Sequence, residues 1–180
     1  MVEALPDATV HRMRHHRKGR LLRMMQELDL PTLLIYDPVS IRYATDSRNV
    51  QVYALNHECR YLFMAADGTT ELFDWVAGHD AYHGHLDTID AVHVARPVGF
   101  MSDGADNFET SLREWADQIE SLIRRTSPDD LRVGIDRLSH FQASELERRG
   151  IRVVDGHPVI YRARAVKGPE ELEAQRLSAK

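Results

Sequence analysis

Apolar positions recur at helical spacing from about Val10 to Leu28: Met13, Leu21, Met25 and Leu28 mark one side, and Arg12, Arg14, Arg17, Lys18, Arg20 and Arg23 occupy much of the remainder. Pro31 breaks that period, and Thr32-Leu33-Leu34-Ile35-Tyr36 reads as a buried strand. Asp37-Pro38 has the chemistry of a helix start, with Asp37 as N-cap and Pro38 in the first helical position, so a short helix is expected to about Tyr43. Arg60 to Ala66 and Thr69 to Trp75 read as strands flanking Asp67-Gly68, a dipeptide that tolerates the positive φ angles of a two-residue hairpin turn. Ile89 to Val94 alternates apolar and polar and predicts another strand. Residues 95–106, with Pro97, Gly99 and Gly104, predict a loop.

The clearest helix runs from about Phe108 to Arg125, where Phe108, Leu112, Trp115, Ile119 and Leu122 form one apolar stripe. Leu131, Val133 and Ile135 alternate as a strand. Ser139 and Gln142 make a capping-box pattern, and the helix they open closes on Arg148-Arg149-Gly150, as the helix dipole and a left-handed C-cap favour. Ile151 to Val154 is the next strand, and Pro169-Glu170-Glu171 opens a last helix that runs barely three turns to Lys180. A helix that short buries too little to stand alone, so it is expected to belong to a longer protein. Strands alternating with helices, plus one hairpin, predict an α/β fold with a mixed sheet and flanking helices.

Composition narrows the class. The 180 residues are 43% hydrophobic and 28% charged, the balance of one globular domain rather than a disordered or fibrous chain. No apolar run approaches the ~20 residues of a membrane helix, so no membrane partner is expected. The net charge of −5 arises in residues 65–120, which argues against a nucleic-acid partner. The single cysteine, Cys59, fits a reducing cytoplasm.

Candidate chemistry is sparse. His79 and His83 stand at i, i+4, with His85 beside them, but the Glu of a zinc-protease motif is missing and no acid and cysteine cluster completes a shell; they read as solvated. His11, His15 and His16 sit among arginines and read as surface. His57-Glu58-Cys59 has the residue types of a nucleophile pair, yet neighbours on a strand point to opposite faces, so Cys59 reads as an inert thiol. No metal and no catalytic residue is expected in this chain. The segment that resists a bland account runs from Tyr36 to Asn49: Asp46, Ser47, Arg48 and Asn49 follow a short helix, with Tyr53, Asn56 and His57 beyond. Arg48 can grip a carboxylate and Asn49 offers a donor and an acceptor; the same loop also reads as one whose polar side chains satisfy their own backbone. The substrate-contact candidates are Asp46, Arg48, Asn49, Tyr53 and His57.

A basic helix, a strand, Asp37-Pro-x-x-Ile41-Arg-Tyr43-Ala-Thr45-Asp46 and a closing Arg164-Ala165-x-Lys167-x-Pro169-Glu170-Glu171-Leu172 together resemble the N-terminal domain of creatinase/prolidase-type proteins. The first stretch is similar to that family's Tyr-x-Thr-(Gly or Asp) motif and the second to its Lys-x-Pro-x-Glu linker. Within the superfamily the dimethylsulfoniopropionate-lyase branch looks closest, with Xaa-Pro peptidases, creatinase and ectoine hydrolases sharing much of the pattern. The resemblance implies a tail at 1–10, a creatinase-like α/β domain at 11–165, and at 166–180 the start of a linker helix to a C-terminal catalytic domain. It further implies that a divalent metal pair and all catalytic ligands lie in that C-terminal domain. This chain would serve dimerisation and gating of a neighbouring active site that takes a small molecule or short peptide, in a peptidase-like hydrolase, a lyase or an amidinohydrolase-like enzyme. The rival expectation is a free-standing module that uses its basic helix on an anionic partner.

Overall fold

A computed structural model of the chain describes residues 5–48, 59–74 and 85–179. Among these residues six strands form one sheet: β1 (Thr32–Ile35), β2 (Tyr61–Ala65), β3 (Thr70–Asp74), β4 (Ala91–Val94), β5 (Arg132–Ile135) and β6 (Arg152–Asp155). Their order is β4-β3-β2-β1-β5-β6. β1 and β2 are antiparallel, as are β2 and β3, while β1–β5, β5–β6 and β3–β4 are parallel. The helices among the described residues are α1 (Asp7–Glu27), α2 (Pro38–Thr45), α3 (Phe100–Asp103), α4 (Phe108–Thr126), α5 (His140–Arg148), α6 (His157–Ala165) and α7 (Pro169–Ser178). This is the mixed α/β sheet with one hairpin and flanking helices that the patterning predicts.

Alternation along the strands divides the interior in two. Leu34 and Tyr36 join Tyr61, Phe63 and Phe73 under α4, whose stripe of Phe108, Leu112, Trp115, Ile119 and Leu122 is fully committed to this core. Leu33 and Ile35 point the other way with Leu62, Met64 and Leu72, against Leu21 and Met25 of α1, Ile41 of α2 and Val159, Ile160 and Ala163 of α6. Both faces of β1 are covered, which is why its sequence is an unbroken apolar run.

Local predictions fare well where side-chain chemistry is short-range. Asp37 caps α2 by accepting from the Ser40 backbone N–H at 2.8 Å, with Pro38 in the first turn. Ser139 and Gln142 form the capping box of α5, and Gly150 beyond that helix takes φ +79°.

Four points differ. The hairpin turn spans three residues rather than two: the Ala65 N–H donates to the Thr69 carbonyl, Gly68 donates to Ala65, and only Gly68 has positive φ, the type I turn with a glycine bulge. α1 begins at Asp7, inside the expected tail. α3 interrupts the expected loop at 95–106. α6 was not anticipated; Pro158 near its start and apolar Val159, Ile160 and Ala163 carry its signal, but the run is too short for a period to stand out.

Gly156, which precedes α6, packs so closely on the sheet that a Cβ would lie 2.9 Å from the Ile135 nitrogen and 3.0 Å from the Gly134 carbonyl carbon. These two atoms belong to one peptide of β5, backbone that cannot yield. Gly156→Ala is therefore expected to cost about 1–3 kcal/mol in a urea unfolding titration; an unchanged midpoint would mean that α6 sits farther from β5.

Candidate functional site

The loop that follows α2 is built on the helix's own last turn. Tyr43 is buried and its hydroxyl donates to the Ala163 carbonyl at 2.9 Å, fastening α2 to α6. Burial raises the Tyr43 phenol above its ordinary pKa, with the nearby Glu171 carboxylate acting in the same direction. Thr45 donates back to the Ile41 carbonyl and accepts from the Ser47 backbone N–H. Asp46 is the C-cap, at φ +64°, a left-handed conformation open mainly to Gly and, among other residues, to Asn and Asp. A Gly-or-Asp alternation after Tyr-x-Thr thus has a conformational reason.

Two arginines from elsewhere hold this loop. Arg14 of α1 reaches the Asp46 carboxylate at 3.4 Å. Arg60, at the head of β2 and 2% exposed, pairs with Asp74 at 2.8 Å and donates to the Ser47 hydroxyl. Burial pulls the Arg60 pKa down, and Asp74 works against that. Asp46 and Ser47 are fixed in this way, while Arg48, next in sequence, is exposed and has no ion-pair partner among the described residues.

Arg48 lines a cleft of roughly 1190 Å³ between α1, α2 and the segment from α6 to α7. Arg42, Arg164 and Lys167 line it too. None of these cations meets a carboxylate among the described residues: Arg164 donates to the Ser40 hydroxyl at 3.3 Å and Lys167 to the Ala165 carbonyl. Arg17 is different, because its guanidinium lies over the Tyr43 ring at 5.3 Å and pairs with Glu171 at 2.8 Å. Exposed Val39 and Tyr161 supply apolar wall. The cleft suits an anionic group carried on a small apolar frame.

The closing motif is a clasp. Glu171 is buried, accepts from the Gly168 backbone N–H at 3.0 Å and receives Arg17, while Glu170 receives Arg12 at 3.2 Å. A Cβ on Gly168 would meet the His16 ring at 2.8 Å, so the turn into α7 lies flat on α1. α7 is joined to α1 by charge, while its Leu172 stays exposed.

Of the sequence candidates, Asp46 and Arg48 meet at the cleft, with Asp46 in a holding role. Asn49, Tyr53 and His57 lie outside the described residues, as do His79 and His83. His85 is exposed on the cleft. Cys59 is buried and its thiol is pushed up by that burial, as expected of an inert cysteine. The basic face of α1 is engaged within the domain. Arg14, Arg17 and Lys18 are largely covered and engage Asp46, Asp87, Glu171 and Asp90, while Arg20 donates to the Ala163 carbonyl. Sequence reasoning missed Arg14 and Arg60. Arg60 did leave a signal: an arginine opening the apolar run Tyr61-Leu62-Phe63-Met64 has few ways to reach water.

Among the described residues one group of three potential metal ligands comes together, His11, His15 and Asp87. Asp87 is held down at about 2 by its hydrogen bond from His15 first, then by those from His11 and Arg14. No helix among the described residues is long and apolar enough to cross a membrane.

No protein-family model matches the chain. Among curated proteins it is similar to dimethylsulfoniopropionate lyase DddP of Roseovarius nubinhibens, 29% identical over 176 residues that cover 96% of this chain and 38% of the relative. DddP of Roseobacter denitrificans is likewise 29% identical over 175 residues, again with 38% of the relative covered. Among solved structures, the Xaa-Pro dipeptidase of Bacillus anthracis superposes with a TM-score of 0.60 at 11% identity, over 89% of this chain and 38% of that one. The N-terminal domain of the peptidase PepQ of Mycobacterium tuberculosis gives 0.52 at 13% identity, over 82% of this chain and 97% of that one. An Xaa-Pro aminopeptidase structure from Streptococcus pyogenes gives 0.53 at 18%, over 79% and 91%. The chain has the creatinase/prolidase N-terminal-like fold, and it spans little more than a third of the length of the curated relatives it matches.

Proposed function

We propose, for a chain that matches the N-terminal domains of prolidase- and DddP-type proteins, that it acts as the non-catalytic front domain of a metal-dependent enzyme, making oligomer contacts and presenting the Arg48 loop to a neighbouring active site. The catalytic metal pair would belong to a C-terminal domain, and the compartment would be the cytoplasm. The observation that carries the reading is Arg48 itself: an exposed guanidinium without an ion-pair partner among the described residues, on a loop whose two preceding side chains are anchored by Arg14 and Arg60. A fixed cation outside a metal pair selects substrates bearing a carboxylate. Dimethylsulfoniopropionate and short peptides both carry one. The rival role, a basic helix seeking an anionic partner, loses support because Arg14, Arg17, Lys18 and Arg20 are engaged within the domain.

The test uses the enzyme that contains this domain together with its C-terminal part. Arg48→Ala should lower kcat/KM by about ten-fold or more, mainly through KM, because a hydrogen bond to a charged group is worth about 1.5–3 kcal/mol. Thermal midpoint and metal content should not change, and Arg48→Lys should recover part of the loss. Kinetics within about two-fold of the parent in a folded oligomer would remove Arg48 from substrate contact.

A further inference from the structure

We propose that His11, His15 and Asp87 form a binding site for a late first-row divalent metal ion, with Zn2+ as the representative. The two histidines stand one turn apart on α1 and their rings lie 4.5 Å apart. Both turn Nε2 toward one atom, Oδ2 of Asp87, at 2.7 and 2.8 Å. Three donor atoms from two elements therefore converge already. A tetrahedral ion needs them only slightly farther apart, and exposed side chains can open by that much.

The third ligand is not a chance neighbour. Asp87 lies between buried Leu86 and Thr88. Thr88 donates its hydroxyl to the Thr45 carbonyl at 2.8 Å, and its own carbonyl accepts from Lys18 at 3.0 Å. The backbone that carries the carboxylate is thus tied to α1 and to the end of α2. Arg14, the neighbour expected to repel a cation, sits on the far oxygen, Oδ1, at 3.3 Å and also reaches Asp46. It leaves Oδ2 to the metal and orients the carboxylate, the arrangement that supports metal-bound carboxylates generally. Two imidazoles and one carboxylate with open positions suit Zn2+, Ni2+ or Cu2+ rather than Mg2+ or Ca2+, which prefer all-oxygen shells. The sequence expectation of no metal weighed only neighbours along the helix, and Asp87 is 72 residues from His15. An ion here would clamp α1 to the segment before β4.

The experiment is calorimetric titration of ZnCl2 into the tag-free 180-residue chain, with Co2+ absorbance reporting the ligand field. One equivalent is expected, with a Zn2+-dependent rise in thermal midpoint. His11→Ala/His15→Ala should abolish both, Asp87→Asn should weaken binding by about ten-fold or more, and His79→Ala/His83→Ala should leave it unchanged. His11, His15 and Asp87 are exposed, and circular dichroism of the metal-free variants verifies folding. Either of two results would overturn the proposal: no saturable binding tighter than about 100 µM, or binding that survives in the His11/His15 double variant.

Discussion

Replacing Trp115 by alanine should lower the unfolding free energy by about 3–5 kcal/mol, the range for emptying an aromatic site in a packed core. Trp115 is wholly buried at the centre of the α4 stripe, and its indole N–H donates to the Tyr36 hydroxyl at 2.9 Å. The substitution would open a cavity between α4 and the sheet and also remove a buried donor. Trp115→Phe, which keeps most of the volume, should cost much less. Urea titrations followed by circular dichroism measure both, and equal, small effects would mean that the stripe does not pack where it is seen. The proper surface control is Glu109→Ala, within about 0.5 kcal/mol, because Glu109 is largely exposed and its contact with Arg113 is a loose 3.8 Å. Glu120, which reads as an equivalent position in sequence, is a poor control: it accepts from Arg124 at 2.8 Å and from Arg149 at 3.0 Å.

Arg60→Met should be comparably damaging, about 3–5 kcal/mol, for an electrostatic reason. Arg60 and Asp74 are both buried, and removing one partner leaves the other's charge in a poorly solvated site. The effect is a property of the pair. Arg60→Met/Asp74→Leu should recover a substantial part of the loss, since replacing a buried ion pair by apolar groups is often near neutral. If the double variant is as unstable as the sum of the singles, the cost lies in packing rather than in the loss of this ion pair. The same substitution removes the Arg60 hydrogen bond to the Ser47 hydroxyl, so on the role proposed for Arg48 it should also lower kcat/KM in the parent protein.

The sequence by itself determined most of the elements, α3 and α6 excepted, because these depend on groups within a few residues of one another. The α4 stripe, the Asp37 cap, the Ser139/Gln142 box and the apolar run of β1 are legible for that reason. The two family-like motifs were also legible. Their work was not, since Tyr43 is fastened to Ala163 and Glu171 to Arg17, contacts that span 120 and 154 residues. Tertiary structure alone decided that Asp46 is a left-handed cap held by Arg14, that Arg60 anchors the loop, and that Arg48 has no ion-pair partner among the described residues. It also decided the charge environment of α1. Along the chain its histidines have arginines for neighbours, whereas in the fold Asp87 stands between them. Periodicity records which side of a helix is apolar; it holds no information about which distant carboxylate will arrive on the polar side.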